Sequence, residues 1–280
     1  MDHQTQNAAK ALFLDLDGTL LDDKKQVSPR DREAIERMLQ QGHHVIIATG
    51  RPLSSALVQA EKLGLTGEGC LLIAYNGGIL YDTARQQVIH EIRLPLSLVR
   101  AVFDEAARRG LHIQTYEGAY VVAEPAGSED CLRYYEHNSG MPWKIVPDVT
   151  ALSEEPVKML MIDREGPERL EAMRGWIAEH FGDRLDTFFS SADYVEIVSH
   201  GLNKGQAVRQ MAGLLGISIE DTIAAGDAEN DITMIRAAGV GCAMRNASEA
   251  VKAAADYVTE ADNNHSGVAE IIRRFILQDF

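Results

Sequence analysis

Short apolar runs alternate with amphipathic segments in the first third of the 280-residue chain. Apolar runs typical of strands buried on both faces lie at 12–16, 44–48 and 71–75. Helical patterns lie between them at 29–41 and 53–63, and the first begins with Ser28-Pro29, an N-cap residue followed by proline. This alternation predicts a parallel sheet that is covered by helices on both faces.

The last third of the chain returns to this pattern, but the middle does not. In the last third, helical patterns lie at 204–215, 229–238, 248–254 and 268–276, and strand patterns lie between the first three of them at 222–225 and 240–243. In the middle, strand patterns at 111–116 and 119–123 join at Glu117-Gly118, which is typical of an antiparallel hairpin. The sequence therefore predicts an α/β fold: a three-layer core with a parallel sheet, formed by residues 1–85 and 190–280, and an inserted α+β domain at 86–189.

Composition and charge narrow the possible partners and compartments. The chain has 27 Lys and Arg against 42 Asp and Glu, a net charge of −15 without a basic run, which argues against nucleic acid as a partner. No apolar run reaches the ~18 residues that span a membrane, and the polar stretch Met1–Lys10 lacks the apolar core of a signal peptide. The widely spaced Cys70, Cys131 and Cys242 predict free thiols. We therefore expect a cytoplasmic monomer or homodimer that binds neither nucleic acid nor membrane.

Four polar segments lie where predicted strands end or a helix begins. "DLDGT" at 15–19, "ATGR" at 48–51 and "GDAEND" at 226–231 follow strands, and "NKG" at 203–205 opens a helix. Each of these segments alone is more often a plain turn or helix cap. Ligands of open parallel sheets, however, bind beyond the carboxyl ends of the strands. The position that the four segments share therefore predicts a functional site at that edge of the sheet. The chain has neither GxGxxG, GxxxxGK[ST] nor GxSxG, which argues against dinucleotide-binding, P-loop and serine-hydrolase chemistry.

This edge combines acidic residues with hydrogen-bond donors. The carboxylates expected there are those of Asp15, Asp17, Asp227 and Asp231. Four like charges in a confined cleft need a cation, and oxygen ligands favour Mg²⁺. The groups that can surround a phosphoryl group are the Lys204 ammonium, the Thr49 hydroxyl, the Gly50 N–H and the Asn230 amide. The set indicates phosphoryl transfer, which needs a nucleophile, a metal and donors around the equatorial oxygens.

Six motifs, spread from one end of the chain to the other, follow the order of one known family. They are "LFLDLDGTLL", "IIATGRP", "IAYNGG", "VEIVSHGLNKG", "AAGDAENDITMI" and "VGCAMRNASEAVKAAADYVT". With them the chain resembles the Cof-type, sugar-phosphatase-like members of the haloacid dehalogenase (HAD) superfamily. The resemblance implies a Rossmannoid core that carries an inserted α+β cap of type C2, and it implies that this cap determines substrate specificity.

The same resemblance implies roles for individual residues. Asp15 is implied as the nucleophile, which forms an aspartyl-phosphate, and Asp17 as the general acid/base. Mg²⁺ is held by the Asp15 carboxylate, the Asp17 backbone carbonyl and Asp227, while Asp231 orients a metal-bound water or Lys204. The residues implied in binding the phosphoryl group or the substrate are Leu16, Thr49, Gly50, Lys204 and Asn230.

Two further positions have two interpretations each. Arg51 fits either a substrate contact or a salt bridge at the start of a helix. Asn76 either faces the site or serves the turn in "NGG".

The resulting hypothesis is an Mg²⁺-dependent phosphatase that hydrolyses small phosphate monoesters, with sugar phosphates as the expected substrates. One alternative is a phosphomutase, which would give an isomer of a sugar phosphate without releasing inorganic phosphate. Another is a phosphatase for a different small metabolite, such as flavin mononucleotide or pyridoxal phosphate. A third, from another class, is a regulatory protein that keeps the site for binding.

Overall fold

The computed structural model describes residues 8–125 and 129–279, which form two compact units. The first unit takes in the chain up to Arg51, Ala56–His90 and the chain from Asn203 onward. The second takes in Pro52–Ser55 and Glu91–Leu202. Most of the polar stretch Met1–Lys10 lies outside the described residues. Within the described ranges, every helix is too short or too polar to cross a membrane.

The strands of the described ranges form one sheet in each unit. The first sheet contains β1 (Ala11–Leu14), β2 (His44–Ala48), β3 (Cys70–Ala74), β4 (Ile79–Asp82), β5 (Gln87–Glu91), β12 (Thr222–Gly226), β13 (Val240–Ala243) and β14 (Tyr257–Val258). The second contains β6 (His112–Glu117), β7 (Tyr120–Ala123), β8 (Trp143–Ile145), β9 (Met159–Ile162), β10 (Leu185–Ser191) and β11 (Tyr194–Ser199).

The helices follow the periodic segments of the sequence. They are α1 (Pro29–Gln40), α2 (Leu53–Leu63), α3 (Leu96–Arg108), α4 (Glu129–Ser139), α5 (Glu168–Phe181), α6 (Lys204–Leu215), α7 (Ile232–Ala237), α8 (Glu249–Lys252) and α9 (Gly267–Ile272). The Ser28 hydroxyl caps α1 by accepting the Asp31 N–H at 3.0 Å. Asn203 caps α6 by accepting the Gln206 N–H at 2.9 Å, and this cap fixes Lys204 in the first turn.

The first sheet has the strand order β14-β13-β12-β1-β2-β3-β4-β5. From β14 to β3 all neighbours are parallel, and the apolar residues of β1, such as Phe13, are fully buried, as continuous apolar runs predict. β1 pairs with β2 on one side and with β12 on the other. The order of the strands therefore reverses beside β1, and this is where open sheets bind ligands.

One edge of this sheet differs from the parallel sheet that the sequence predicts. β4 is antiparallel to β3, with Leu71 opposite Asp82 and Ala74 opposite Ile79. The chain reverses in the turn Tyr75–Gly77, where Asn76 adopts a left-handed conformation with φ of +56°. A reversal within so few residues allows only an antiparallel return, because a parallel connection needs a crossover.

The second unit is an α+β structure with its own core. Its sheet has the order β10-β11-β9-β6-β7-β8, and β6 and β7 form the predicted antiparallel hairpin. α3 contacts β6 and α5 contacts β10. The apolar residues of this core include Val102, Phe103, Met161, Ile177 and Ile197.

The limits of the second unit differ from the expected range of 86–189. Residues 87–90 belong to the first unit, because β5 extends the sheet beyond β4. At the other end the second unit continues to Leu202, because β11 is hydrogen-bonded antiparallel to both β10 and β9. A strand with partners on both sides belongs to the interior of its sheet.

Candidate active site

The carboxyl ends of β1, β2 and β12 supply the first polar residues of the candidate site. Asp15 follows β1, and its N–H donates to the Ala225 carbonyl of β12 at 3.1 Å. Asp227 follows β12, and Thr49 follows β2. Because neighbouring parallel strands end at the same edge, the side chains that the sequence singled out at strand ends lie in one unit and at one edge.

Lys204 is buried between two aspartates. Its Nζ lies 2.5 Å from Asp15 Oδ1 and 2.6 Å from Asp231 Oδ1. The exposed fraction of Lys204 is 1% and that of Asp231 is 0%. Asp231 is fixed by its other oxygen, since Oδ2 accepts the N–H groups of Asp227 and Ala228, each at 3.0 Å. Asp231 therefore holds both the ammonium group and the backbone that carries Asp227.

Burial and neighbouring charges shift the pKa values of these groups. Burial raises the pKa of Asp15 to about 7, with Lys204 opposing the effect and Asp231 adding to it. Burial likewise raises the pKa of Asp227 to about 6, against the hydrogen bond from Thr19. Burial alone would lower the pKa of Lys204, but the Asp15 and Asp231 carboxylates hold it above its ordinary value. A site in which carboxylates resist ionisation beside a fixed ammonium favours additional positive charge.

Three carboxylates are close enough to share a cation. Asp15, Asp227 and Asp231, here called the acidic cluster, offer oxygens that all lie within 4.8 Å of one another. Both carboxylate oxygens of Asp231 accept hydrogen bonds, from Lys204 and from the backbone. Asp15 accepts a hydrogen bond only at Oδ1, from Lys204, and Asp227 accepts one at Oδ1, from the Thr19 hydroxyl at 2.8 Å. Among the described residues, Oδ2 of Asp15 and Oδ2 of Asp227 have no hydrogen-bond donor. These hard oxygen donors fit a divalent cation such as Mg²⁺, with Asp15 and Asp227 better placed to ligate it than Asp231.

The carboxylate of Asp17 is not part of the acidic cluster, contrary to the expectation that four carboxylates meet. Arg51 binds it through Nη2 at 2.7 Å and Nε at 3.1 Å to Oδ2, and Nη2 also lies 3.0 Å from Oδ1. Lys25 Nζ lies 2.7 Å from Oδ1. Burial alone would raise the pKa of Asp17, but the hydrogen bonds from Lys25 and Arg51 hold it below its ordinary value. The Asp17 side chain is therefore bound by two cations, Lys25 and Arg51, whose long side chains reach it from other parts of the chain.

The turns that follow β2 and β3 lie against each other. The Asn76 N–H donates to the Thr49 carbonyl at 3.0 Å, and Asn230 Nδ2 lies 3.3 Å from Asn76 Oδ1. A Cβ on Gly50 would lie 3.1 Å from the Asn76 side chain, so glycine allows this close approach. Thr49 also accepts the Arg51 N–H at 3.2 Å, which leaves its own hydroxyl proton to donate. The structure thus brings Thr49, Gly50, Asn76 and Asn230 together.

Leu16 and Arg51 complete the expected set. The Leu16 side chain is fully buried in the core, and its carbonyl accepts the Leu21 N–H at 2.8 Å, so a contact of Leu16 with a phosphoryl group stays a prediction for its backbone N–H. The guanidinium of Arg51 forms a salt bridge with Asp17. Of the two interpretations of Arg51, the structure shows the salt bridge, and its partner Asp17 is itself a residue of the candidate site.

Sequence reasoning missed three residues of this site. Thr19 binds Asp227 as described, and its place in "DGT" could have revealed it. Asn246 donates from Nδ2 to the Gly18 carbonyl at 2.7 Å and thereby supports the turn after β1. Lys25 binds Asp17. Asn246 lies in the quoted motif "VGCAMRNASEAVKAAADYVT", a few residues after β13, which could have drawn attention to it. Lys25 lies outside every quoted motif, and no pattern in the sequence distinguishes it from a surface residue.

Gly18 occupies a position that a side chain would disrupt. Its φ is +86°, and a Cβ there would lie 2.3 Å from Asp227 Oδ2. Gly42 has a similar φ of +82°, but a Cβ there would meet nothing within 4 Å. We expect Gly42→Ala to lose about 1–2 kcal/mol of unfolding free energy through backbone strain. Gly18→Ala should lose more and should also lose activity, because Asp227 is displaced. Urea denaturation measures the loss of unfolding free energy, and phosphate release measures the loss of activity. If Gly18→Ala and Gly42→Ala lose the same unfolding free energy and both keep activity, the contact of position 18 with Asp227 is refuted.

The parallel sheet and the acidic, lysine-containing edge define an α/β enzyme that acts on phosphate groups. Residues 12–272 match the model of a family described as haloacid dehalogenase-like hydrolases. A 5-amino-6-(5-phospho-D-ribitylamino)uracil phosphatase of Bacillus subtilis is 30% identical over 275 residues, which cover 94% of this chain and 96% of that one. A pyridoxal phosphate phosphatase of Escherichia coli is 30% identical over 270 residues, covering 94% and 97%.

A comparison of the fold with solved structures leads to the same family. The crystal structure of a haloacid dehalogenase-like hydrolase from Bacteroides thetaiotaomicron superposes with a TM-score of 0.85 at 32% identity, covering 95% of this chain and 99% of that one. The chain therefore belongs to the haloacid dehalogenase-like hydrolases, in their Cof-type group, and it is a phosphatase that acts on phosphate monoesters.

Proposed function

We propose that this phosphatase hydrolyses small phosphorylated metabolites in an Mg²⁺-dependent reaction in which Asp15 becomes phosphorylated. The observation that carries the proposal is the buried contact of Lys204 with Asp15 and Asp231, beside Asp227, at the carboxyl edge of the sheet. A carboxylate there is already a nucleophile, because it needs no base to activate it.

The chain's own residues divide the chemistry between them. Asp15 attacks phosphorus through one carboxylate oxygen, and Lys204 neutralises charge on Asp15 and on the phosphoryl oxygens. The Thr49 hydroxyl, the Gly50 N–H and the Asn230 amide donate hydrogen bonds to those oxygens. The proposed role of Asp17 is to give a proton to the leaving oxygen and later to accept one from the water that hydrolyses the aspartyl-phosphate, which requires its contacts with Lys25 and Arg51 to loosen when the substrate binds.

The acidic cluster is the proposed site of the metal. Asp15 and Asp227 would hold the ion through their carboxylates, and Asp17 through its backbone carbonyl, while Asp231 stays with Lys204. When bound, Mg²⁺ supplies positive charge that offsets the repulsion between the nucleophile and the phosphate. The raised pKa values of Asp15 and Asp227 support this assignment, because both carboxylates are ionised most readily beside a cation.

For the substrate class we propose sugar phosphates and other small phosphate monoesters. The relatives of Bacillus subtilis and Escherichia coli are named for a phosphoribityl compound and for pyridoxal phosphate. The first is a phosphorylated sugar derivative, and the second is a small phosphate monoester of another kind. We also propose that the second unit selects the substrate. Its sheet is separate from the sheet that carries the acidic cluster, so its residues can vary without altering the catalytic ones. The free cysteines of the described ranges agree with the cytoplasm as the compartment that we propose.

A phosphate-release screen tests this function. The panel contains sugar phosphates, a phosphoribityl compound, flavin mononucleotide, pyridoxal phosphate and nucleotides, each measured with Mg²⁺ and with EDTA. We expect release from several members with Mg²⁺ and at least about a hundredfold slower release after chelation, with recovery when Mg²⁺ is added back. Release from no member would refute the function, and undiminished release in EDTA would refute the metal. Formation of a phosphorylated isomer without free phosphate would instead identify a mutase.

A further inference from the structure

Two asparagines from a distant part of the chain bind the turn that follows β1, residues 18–21. Asn246 Nδ2 donates to the Gly18 carbonyl at 2.7 Å, and Asn263 Nδ2 donates to the Leu21 carbonyl at 3.0 Å. The two asparagines are also joined to each other, because the Asn263 N–H donates to Asn246 Oδ1 at 3.2 Å. The first and the last carbonyl of the turn are thus held by one hydrogen-bonded pair, here called the amide bridge.

The amide bridge is itself fixed to the sheet of the first unit. Asn246 follows β13, and the N–H of the neighbouring Arg245 donates to Thr259 Oγ1 at 2.9 Å. Thr259 is buried, and its own N–H donates to the Ala243 carbonyl of β13 at 3.0 Å. Asn263 is buried as well, and buried amides are hydrogen-bonded because an unpaired one is costly. The bridge therefore connects the end of β13 to the turn after β1.

The turn carries one group of the site and adjoins another. Thr19 lies in the turn, and its hydroxyl donates to Asp227 Oδ1 at 2.8 Å. Asp17 directly precedes the turn, and its backbone carbonyl is one of the proposed magnesium ligands. A carboxylate can adjust to an ion by rotation of its side chain, whereas the Asp17 carbonyl lies in the rigid peptide plane that it shares with Gly18. The position of the turn therefore sets the position of this carbonyl.

We propose that Asn246 and Asn263 are positioning residues: the amide bridge holds the turn so that the Asp17 carbonyl and Asp227 can bind the same Mg²⁺ ion. The proposal rests on the proposed function, in which these residues hold the metal. Among the described residues, neither asparagine has a side-chain hydrogen bond to the acidic cluster or to Asp17, so the bridge acts through the turn. Removing contacts that orient metal ligands from outside typically weakens metal binding about ten- to a hundredfold.

Asn246→Ala and Asn263→Ala test the amide bridge, and Asn264→Ala is the matched control. Mg²⁺ binding is measured by calorimetry without substrate, and phosphate release is measured over a range of Mg²⁺ concentrations. We expect the dissociation constant of Mg²⁺ to rise about tenfold in both bridge variants, with a parallel rise in the Mg²⁺ concentration that gives half-maximal release. Among the described residues, the Asn264 side chain binds the Asp23 N–H at 3.1 Å and Asn263 Oδ1 at 3.3 Å but no group of the turn. Asn264→Ala should therefore change the dissociation constant by less than about twofold.

The unfolding temperature without Mg²⁺ separates positioning from a structural role. Asn246 is exposed, so water can replace its contacts and Asn246→Ala should keep the wild-type unfolding temperature. Asn263→Ala should unfold at a lower temperature, because the Leu21 carbonyl loses its buried partner. Weaker Mg²⁺ binding by Asn246→Ala at an unchanged unfolding temperature supports the bridge. If Mg²⁺ binding weakens only in variants whose unfolding temperature also falls, the asparagines are structural residues and the proposal is wrong.

An unchanged dissociation constant in Asn246→Ala, or an equal rise in Asn264→Ala, would also overturn the role of the amide bridge. Asp227→Asn distinguishes that outcome from failure of the proposed function, because it removes a proposed ligand and should abolish Mg²⁺ binding. If wild type binds no Mg²⁺, or if Asp227→Asn binds it as wild type does, the proposed metal site is wrong and the role of the bridge is wrong with it. If Asp227→Asn loses binding while Asn246→Ala does not, only the role of the bridge is wrong.

Discussion

Asp15→Asn is expected to abolish phosphate release, with a loss of at least about a thousandfold in kcat. The amide has nearly the shape of the carboxylate but cannot attack phosphorus. The fold should persist, because Lys204 keeps its contact with Asp231 at 2.6 Å. Steady-state phosphate release measures the loss. Rapid acid quenching adds a second measurement, since wild type should yield a phosphorylated enzyme and the variant none.

Asp23→Asn is the matched control for this experiment. Asp23 lies in the same segment and is exposed, so the same chemical change there should leave activity unchanged. Turnover by Asp15→Asn at more than a few per cent of the wild-type rate would refute Asp15 as the nucleophile. A phosphorylated enzyme that survives in the variant would point to a different acceptor residue.

Lys204→Met is expected to lose both activity and stability. Activity should fall about a hundred- to a thousandfold, because the charge that faces the phosphoryl oxygens is gone. Unfolding free energy should fall by about 3–5 kcal/mol, because Asp231 and Asp15 remain buried without their cation. Phosphate release and urea denaturation measure the two losses separately, with Mg²⁺ held constant.

The double variant Lys204→Met/Asp231→Asn separates the two effects. The Asn side-chain oxygen can still accept the N–H groups of Asp227 and Ala228, and its neutrality removes one of the two unpaired charges, that of Asp231. We expect stability to return in part while activity stays low. If activity returns together with stability, Lys204 is a structural residue. If stability does not fall in Lys204→Met, the buried ion pairs are not needed by the fold.

Apolar periodicity predicted most of the first unit but not its limits. The strands β1, β2 and β12 are apolar on both faces, so their pattern predicts a buried parallel sheet and places Asp15, Thr49 and Asp227 at one edge. β5 is half exposed, and its alternating pattern gives no indication of which sheet it joins. The pairing of β11 with β9 depends on contacts between distant segments, which a local pattern does not contain.

The candidate site was predictable where backbone position decides it. A side chain that follows a strand can be placed from the strand, as for Asp227, and Lys204 could be placed from its helix start. Arg51 and Lys25 could not, because their long side chains cross to Asp17 from two different loops. The contact between Asn230 and Asn76 was equally hidden, since it depends on the left-handed conformation of Asn76.

The sheet order has a consequence for synthesis of the protein. Thr19 and Asp227 touch across 208 positions of sequence, and β1 pairs with β12 across a similar span. A ribosome that adds about 5–20 residues per second needs roughly 10–40 s to reach β12 after it has made β1. During that interval the apolar strand β1 has a partner on one side only, and its open edge can pair with other chains. We therefore expect the newly made first half to be more exposed to aggregation than the complete chain.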